Sequence, residues 1–243
     1  MDGTTGTAVR IRGDAIFGGK PIDGTTSVVI TINSELKTKL SKGRYTAGMI
    51  NGSVPDRKPS EMDIKFDQFT TEQWKMTFMG SSSALTQGAG SLTDEPITAT
   101  LGKFVNLTKK NLTASSVIVT NSAATTTYVE GTDYTVNYKL GKILPLSTGA
   151  ITEAQALKVD AAYAALDGFK IAAEAVINMQ DEFILDGVNE ADGSNVTLVI
   201  PLCRMVSKSK LDFLGDDFGS ADMKATPILK SGETAPYYIE VWD

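Results

Sequence analysis

Residues Glu182–Leu229 read EFILDGVNEADGSNVTLVIPLCRMVSKSKLDFLGDDFGSADMKATPIL. The placing of Gly, Asn, Asp and Ser predicts strand, turn, long strand, turn, strand. In the long strand Val196, Leu198, Ile200 and Leu202 recur at period two, as one face of a strand does. Val199, Cys203 and Met205 break that alternation and put apolar side chains on the other side. A strand apolar on both sides needs cover on both faces. A neighbouring copy is one source of the second cover, and nothing in the stretch offers chemistry. It predicts a building block rather than a catalyst.

Working outward, Ala221–Leu229 and Tyr237–Trp242 are the closing strands, and Phe169–Ile177 is read as a strand despite its alanines. Residues 1–26, rich in Gly and Thr, predict an arm with little structure of its own. Ser27–Lys37 predicts one strand, with Ile30, Ile32 and Leu36 inward and Thr31, Asn33, Glu35 and Lys37 outward. Residues 41–60 carry Gly43, Gly48, Gly52, Pro55 and Pro59 and predict a projecting loop, too long for a tight turn. Met62–Asp67 alternates again, with Asp63, Lys65 and Asp67 outward. Thr70 and Gln73 have capping-box spacing, Trp74 and Phe78 follow as packing residues, and Gly80 stops a helix over Thr71–Met79. Residues 81–95 predict a polar loop and Pro96–Leu107 a strand.

Residues 109–167 behave as a separate run of short strands between Gly, Asp and Ser/Thr turns, an inserted small β subdomain. The fold class is therefore mainly β, a sandwich or barrel with one flanking helix. Residues 27–108 and 168–243 form its discontinuous main domain.

Composition narrows function. The 243 residues are 42% hydrophobic and 21% charged, with 23 Lys+Arg against 29 Asp+Glu, a formal charge of −6. An acidic surface argues against tight non-specific DNA binding. With no histidine, Ser–His and Cys–His nucleophiles and the commonest metal ligand are unavailable. The single Cys203 predicts a small core residue in a reducing compartment. No apolar run reaches membrane-spanning length and no signal-peptide core precedes the chain, so synthesis in a cytoplasm is expected.

The candidate chemical groups dissolve one by one. Asp216-Asp217 are adjacent and read as a solvated turn. Asn189–Gly193 lacks the ligand alternation of a calcium loop and reads as a hairpin turn. Asp63 and Asp67 would sit roughly 13 Å apart on one strand, too far for paired-carboxylate chemistry. Lys109-Lys110 is a surface pair, and Gln87–Ser91 lacks the Lys-Ser/Thr of a phosphate loop. No catalytic residue, cofactor or metal is expected.

Taken in order, SVVITINSE, EMDIKFDQFTTEQWKMTFMG, EFILDGVNEADGSNVTLVIP and LDFLGDDFGSADMKATPIL resemble a bacteriophage tail tube protein. VEGTDYTVNYKLGKILPLSTGAI resembles β insertions of phage virion proteins. The resemblance implies hexameric rings that stack into the tail tube and deliver the genome, with no catalysis. It implies a virion location after synthesis in the host cytoplasm. Partners would be further copies, tail proteins such as terminator, tape measure, baseplate and sheath, and double-stranded DNA passing without tight binding. The insertion would project outward, away from the bore.

A conduit must not hold DNA, because each phosphate contact adds affinity. The polar strand faces Thr31, Asn33, Glu35, Lys37, Asp63, Lys65 and Asp67 are the candidate lumen lining, their lysines paired with carboxylates. Arg44, Tyr45, Met49 and Arg57, with the N-terminal arm, are the candidate inter-ring contacts. The competing expectation is a virion or cell-surface binding module with residues 109–167 as its recognition surface, a reading that Tyr128, Tyr134 and Tyr138 would support by facing solvent together. A carboxylate enzyme is a third.

Overall fold

A computed structural model describes residues 8–216 and 219–243, in two compact units. One comprises the chain up to Ser82 with Ile171–Asp243, the other Ser83–Lys170. The first begins with β1 (Ile11–Phe17), β2 (Lys20–Ile22), β3 (Thr25–Thr31), β4 (Ser34–Leu40), β5 (Ile50–Arg57) and β6 (Glu61–Phe66). Helix α1 (Thr71–Thr77) follows, and β7 (Ser81–Ala84) leads into the second unit. That unit contains β8 (Gly90–Thr98), β9 (Val105–Asn106), β10 (Ile118–Asn121), β11 (Thr127–Tyr128), β12 (Tyr134–Asn137), β13 (Lys142–Pro145) and β14 (Ala156–Tyr163). The chain returns through β15 (Phe169–Ala172), which pairs β7, to β16 (Met179–Asn189), β17 (Asn195–Ser207), β18 (Ala221–Pro227) and β19 (Tyr238–Trp242). The protein is mainly β.

The main sheet runs β2-β1-β16-β17-β18-β6-β3, and β19 lies beside the other half of the β17 edge that β18 occupies. Its end strands β2 and β3 are consecutive in the chain, and only Asp23 and Gly24 separate them. Three Cα steps of about 3.8 Å reach at most about 11 Å. The two ends of the sheet must therefore meet at this corner, and the sheet is rolled. Thr25 Oγ1 donates to the Ile22 carbonyl at 2.7 Å, and Asp67 N–H donates to the Gly24 carbonyl at 3.0 Å. Inside the roll lie Met62, Ile64 and Phe66 of β6, Met223 of β18 and Phe183 of β16. Burying each such side chain contributes about 1.5–3 kcal/mol.

The two-sided apolar pattern of β17 has a different cause from the one expected. Phe183 stands opposite Ile200 and Asp181 opposite Cys203, so Pro201 and Leu202 face Glu182 alone. This β-bulge shifts the alternation by one residue. Leu198 and Ile200 before it, and Cys203 and Met205 after it, all enter the same core. The outer side carries Thr197 and Val199, then the exposed Arg204 and Val206. β17 therefore does not need a second apolar cover. Burial pushes the Cys203 thiol up to about 12, which leaves it a core hydrophobe.

Other expectations also change. Residues 11–22 of the expected arm form β1 and β2 and pair with the sheet. The expected insertion 109–167 widens to Ser83–Lys170, because β8 pairs β14. Residues 27–37 form two strands rather than one, and Ile32 and Leu36 are exposed rather than inward. Residues 41–60 are largely β5 and the turn before it. Residues 81–95 contain β7 and the start of β8. Of the LGDDF turn, Asp216 is exposed and Asp217 lies outside the described residues.

In α1, Gln73 Oε1 accepts the Thr70 N–H at 3.2 Å, the reach-back half of a capping box, and Gly80 N–H closes the end on Lys75 O at 2.8 Å. Its inward face is Gln73, Met76 and Thr77, while Trp74 and Phe78 stack at 5.6 Å on its flank.

The bulge is testable by two substitutions with opposite outcomes under uniform alternation. Met205→Asp buries a charge and should destabilise the first unit by on the order of 4 kcal/mol. Leu202→Asp should be far milder. Both tryptophans, Trp74 and Trp242, lie in the first unit, so denaturant titration followed by their fluorescence measures it alone.

Candidate assembly surface

Among the described residues β4 and β5 pair only with each other. Their register sets Leu36 opposite Pro55 and Leu40 opposite Ile50 on one face, and Glu35 opposite Asp56 and Lys37 opposite Val54 on the other. The ribbon is thus amphipathic, with Leu36, Leu40 and Ile50 62%, 54% and 64% exposed. On the charged face Lys58 pairs with Glu35, and Lys37 pairs with Asp56 at 2.5 Å. A lone two-stranded ribbon is marginally stable in water. Its apolar face receives no cover from the rest of the described chain.

The candidate inter-ring residues divide along this ribbon. Arg44 and Tyr45 lie in its terminal turn with Met49 beside them, the Arg44 guanidinium 5.6 Å from the Tyr45 ring centre. Ser41 N–H and Gly48 N–H tie the turn to Met49 O and Ser41 O at 2.7 and 3.0 Å. Arg57 pairs with Ser34 at the root, roughly 20 Å from the tip at the strand rise.

The candidate lumen residues likewise do not form one surface. Thr31, Asp63 and Lys65 are exposed on the outer face of the main sheet, where Lys65 approaches Asp222 at 3.8 Å. Beside them Lys224 pairs with Glu61 at 2.5 Å. Glu35 and Lys37 belong to the ribbon instead. Asn33 sits in its root, where Nδ2 donates to Pro59 O at 3.3 Å, and Asp67 lies just past the end of β6. Both lysines have carboxylate partners. Sequence reading missed a second outer stripe, Asp14 opposite Asp186, and Glu240 one strand further across Thr197. All three carboxylates are exposed, and none has an ion-pair partner among the described residues. Their signal was hidden because the three positions are far apart in sequence and only the register aligns them.

The tyrosines expected to form a recognition surface are largely interior. Tyr128 and Tyr134 are 7% and 2% exposed within the second unit's core. Tyr134 hydroxyl donates to Val117 O at 3.3 Å, and burial first, then Glu130, pushes its pKa up to about 12. The Tyr138 hydroxyl donates to the Glu130 carboxylate at 2.7 Å. Among the described residues no group of three His, Cys, Asp or Glu side chains is placed to hold a metal ion.

Residues 24–235 match the family described as Protein of unknown function UCP028589. The chain belongs to that family. No curated protein matches it. The family span takes in the amphipathic ribbon and the whole second unit, so both are parts of the matched architecture.

Within that unit Asp133 clasps two loops. Its carboxylate accepts Val129 N–H at 2.8 Å and Ala150 N–H at 2.7 Å. These two donors hold its pKa below the ordinary 3.8 against the opposing pull of burial. A carboxyl whose pKa is lowered by folding stabilises above the unfolded value and loses that contribution as pH falls through the folded one. Hydrogen exchange of peptides from residues 83–170 should therefore speed up as pH falls below about 4, after correction for intrinsic rates. Asp133→Asn should raise exchange already at neutral pH and flatten that acid dependence.

Proposed function

We propose that this protein is a structural virion subunit of the tail-tube type, which assembles into stacked hexameric rings and forms the conduit for genome delivery. The resemblance supplies the ring number. The observation that carries the stacking is the placement of two uncovered apolar surfaces. One is the ribbon face of Leu36, Leu40 and Ile50, whose root lies in line with Met205 through Met62 and Ala225. The other is Ile239 and Val241, 64% and 51% exposed, paired with Leu198 and Val196. Met205 and Val196 are nine residues apart on β17, roughly 30 Å at the strand rise.

Surfaces at opposite ends of one strand cannot satisfy each other within a copy. They suit a head-to-tail contact, which propagates rather than closing as a two-fold dimer. The conduit role is supported by the mixed-charge face of Thr31, Asp63 and Lys65, where Lys65 lies 3.8 Å from Asp222 rather than in a cationic patch. Partners in this reading are further copies, other tail proteins, and DNA that passes without tight binding. The alternative of a recognition module loses its main support, since Tyr128 and Tyr134 pack inside.

Electron microscopy of the purified protein tests the reading. Rings with a central hole, stacked in register, are expected, and discrete monomers at high concentration would end it. Leu36→Glu with Ile50→Glu should abolish stacking while leaving circular dichroism and the tryptophan-monitored transition unchanged.

A further inference from the structure

Charge is divided unevenly between the two units. Residues 83–170 balance seven lysines against seven Asp and Glu, so the formal charge of −6 falls entirely on the first unit. Within the second unit the lysines are concentrated. Residues 99–115 and 134–146 hold Lys103, Lys109, Lys110, Lys139 and Lys142, and contain no Asp or Glu.

Backbone bonds lay these segments side by side. Leu107 N–H donates to Gly141 O at 2.9 Å, Asn111 N–H donates to Lys139 O at 3.2 Å, and Lys142 pairs with Asn106. Gly141 permits the approach: a Cβ there would lie 1.8 Å from the Lys109 carbonyl oxygen. Lys103, Lys110 and Lys139 are exposed, and none of the five lysines enters an ion pair among the described residues. Lys109 lies 5.3 Å from the Tyr163 ring centre.

Three carboxylates bonded to this stretch keep their charge and are anchored by hydrogen bonds, against five lysines. Glu95 accepts Thr108 N–H at 2.7 Å, Glu153 accepts Leu101 N–H at 2.8 Å, and Glu130 takes the Tyr138 hydroxyl.

The first unit presents the opposite problem. Asp14 and Asp186 face each other directly, and like charges so placed cost stability unless something covers them. Glu240 extends the stripe. We propose that the lysine face of the second unit docks on the Asp14, Asp186 and Glu240 stripe of another copy. The two surfaces are complementary in sign, each spans more than one chain segment, and neither has an ion-pair partner among the described residues. Exposed ion pairs are individually weak, so such a contact selects orientation and partner more than it adds affinity. The proposal requires that copies meet, and does not require that they form a tube.

Mixing unlabelled and 15N-labelled full-length protein, then cross-linking with a zero-length carbodiimide, reads the contact directly. Mass spectrometry should find labelled-to-unlabelled links from Lys103, Lys139 or Lys142 to Asp14, Asp186 or Glu240. Salt at about 1 M shortens electrostatic reach to about 3 Å and should cut these links about tenfold. K103E/K139E/K142E should lose them, and pairing it with D14K/D186K/E240K should restore links of reversed polarity. Links confined to one copy, or links indifferent to salt and charge reversal, would overturn the proposal. So would wild type that binds heparin through these lysines while copies stay unlinked. Stacked rings without the links would sink this contact and leave the tube reading standing; the links without rings would do the reverse.

Discussion

In the first unit, Pro201 and Leu202 stand opposite the single residue Glu182, and the architecture around β17 depends on that extra residue. β17 is thirteen residues long and carries neighbours along its whole length. Without the extra residue, Cys203 and Met205 would turn outward just as Leu198 and Ile200 turn inward. The bulge restores a single core side on both halves of the strand. Proline suits the position because it has no N–H to contribute to a ladder. β18 and β19 then share one edge of β17, each paired to a different half.

This arrangement moves the case for assembly to another part of the molecule. The outer side carries the buried Thr197 and half-buried Val199, then the exposed Arg204 and Val206, a mixed set rather than an apolar stripe. The β4–β5 ribbon is different. It segregates Leu36, Leu40, Ile50 and Pro55 from Glu35, Lys37 and Asp56, as a strand pair does when one face is to be buried. Its apolar face gains little from the rest of the described chain, and in the proposed assembly another copy would cover it. Its ion pairs are exposed and contribute little beyond fixing which face stays wet.

The second unit has its own core and its own polar fastenings. Tyr134, Ile143, Leu157 and Val159 fill it, and Asp133 joins the loops at Val129 and Ala150. Its tyrosines are amphipathic packing residues, ring inward and hydroxyl bonded, a use that sequence alone cannot tell from a binding platform. Membership of the family spans this unit as well as the sheet, so it is part of the matched architecture.

Much was legible from residue order. The strands of Glu182–Leu229, the inward set Met62, Ile64 and Phe66, the helix start at Thr70 and the turn at Asn189–Gly193 rest on local periodicity and local turn chemistry. Those properties act over a few residues, and a few residues suffice to show them. The side to which Met205 turns, the break between β3 and β4, and the alignment of Asp14, Asp186 and Glu240 were decided only in three dimensions. Each depends on which residue stands opposite on a partner strand, often more than a hundred positions away in the chain. A period of two is blind to an extra residue and to pairing across such distances.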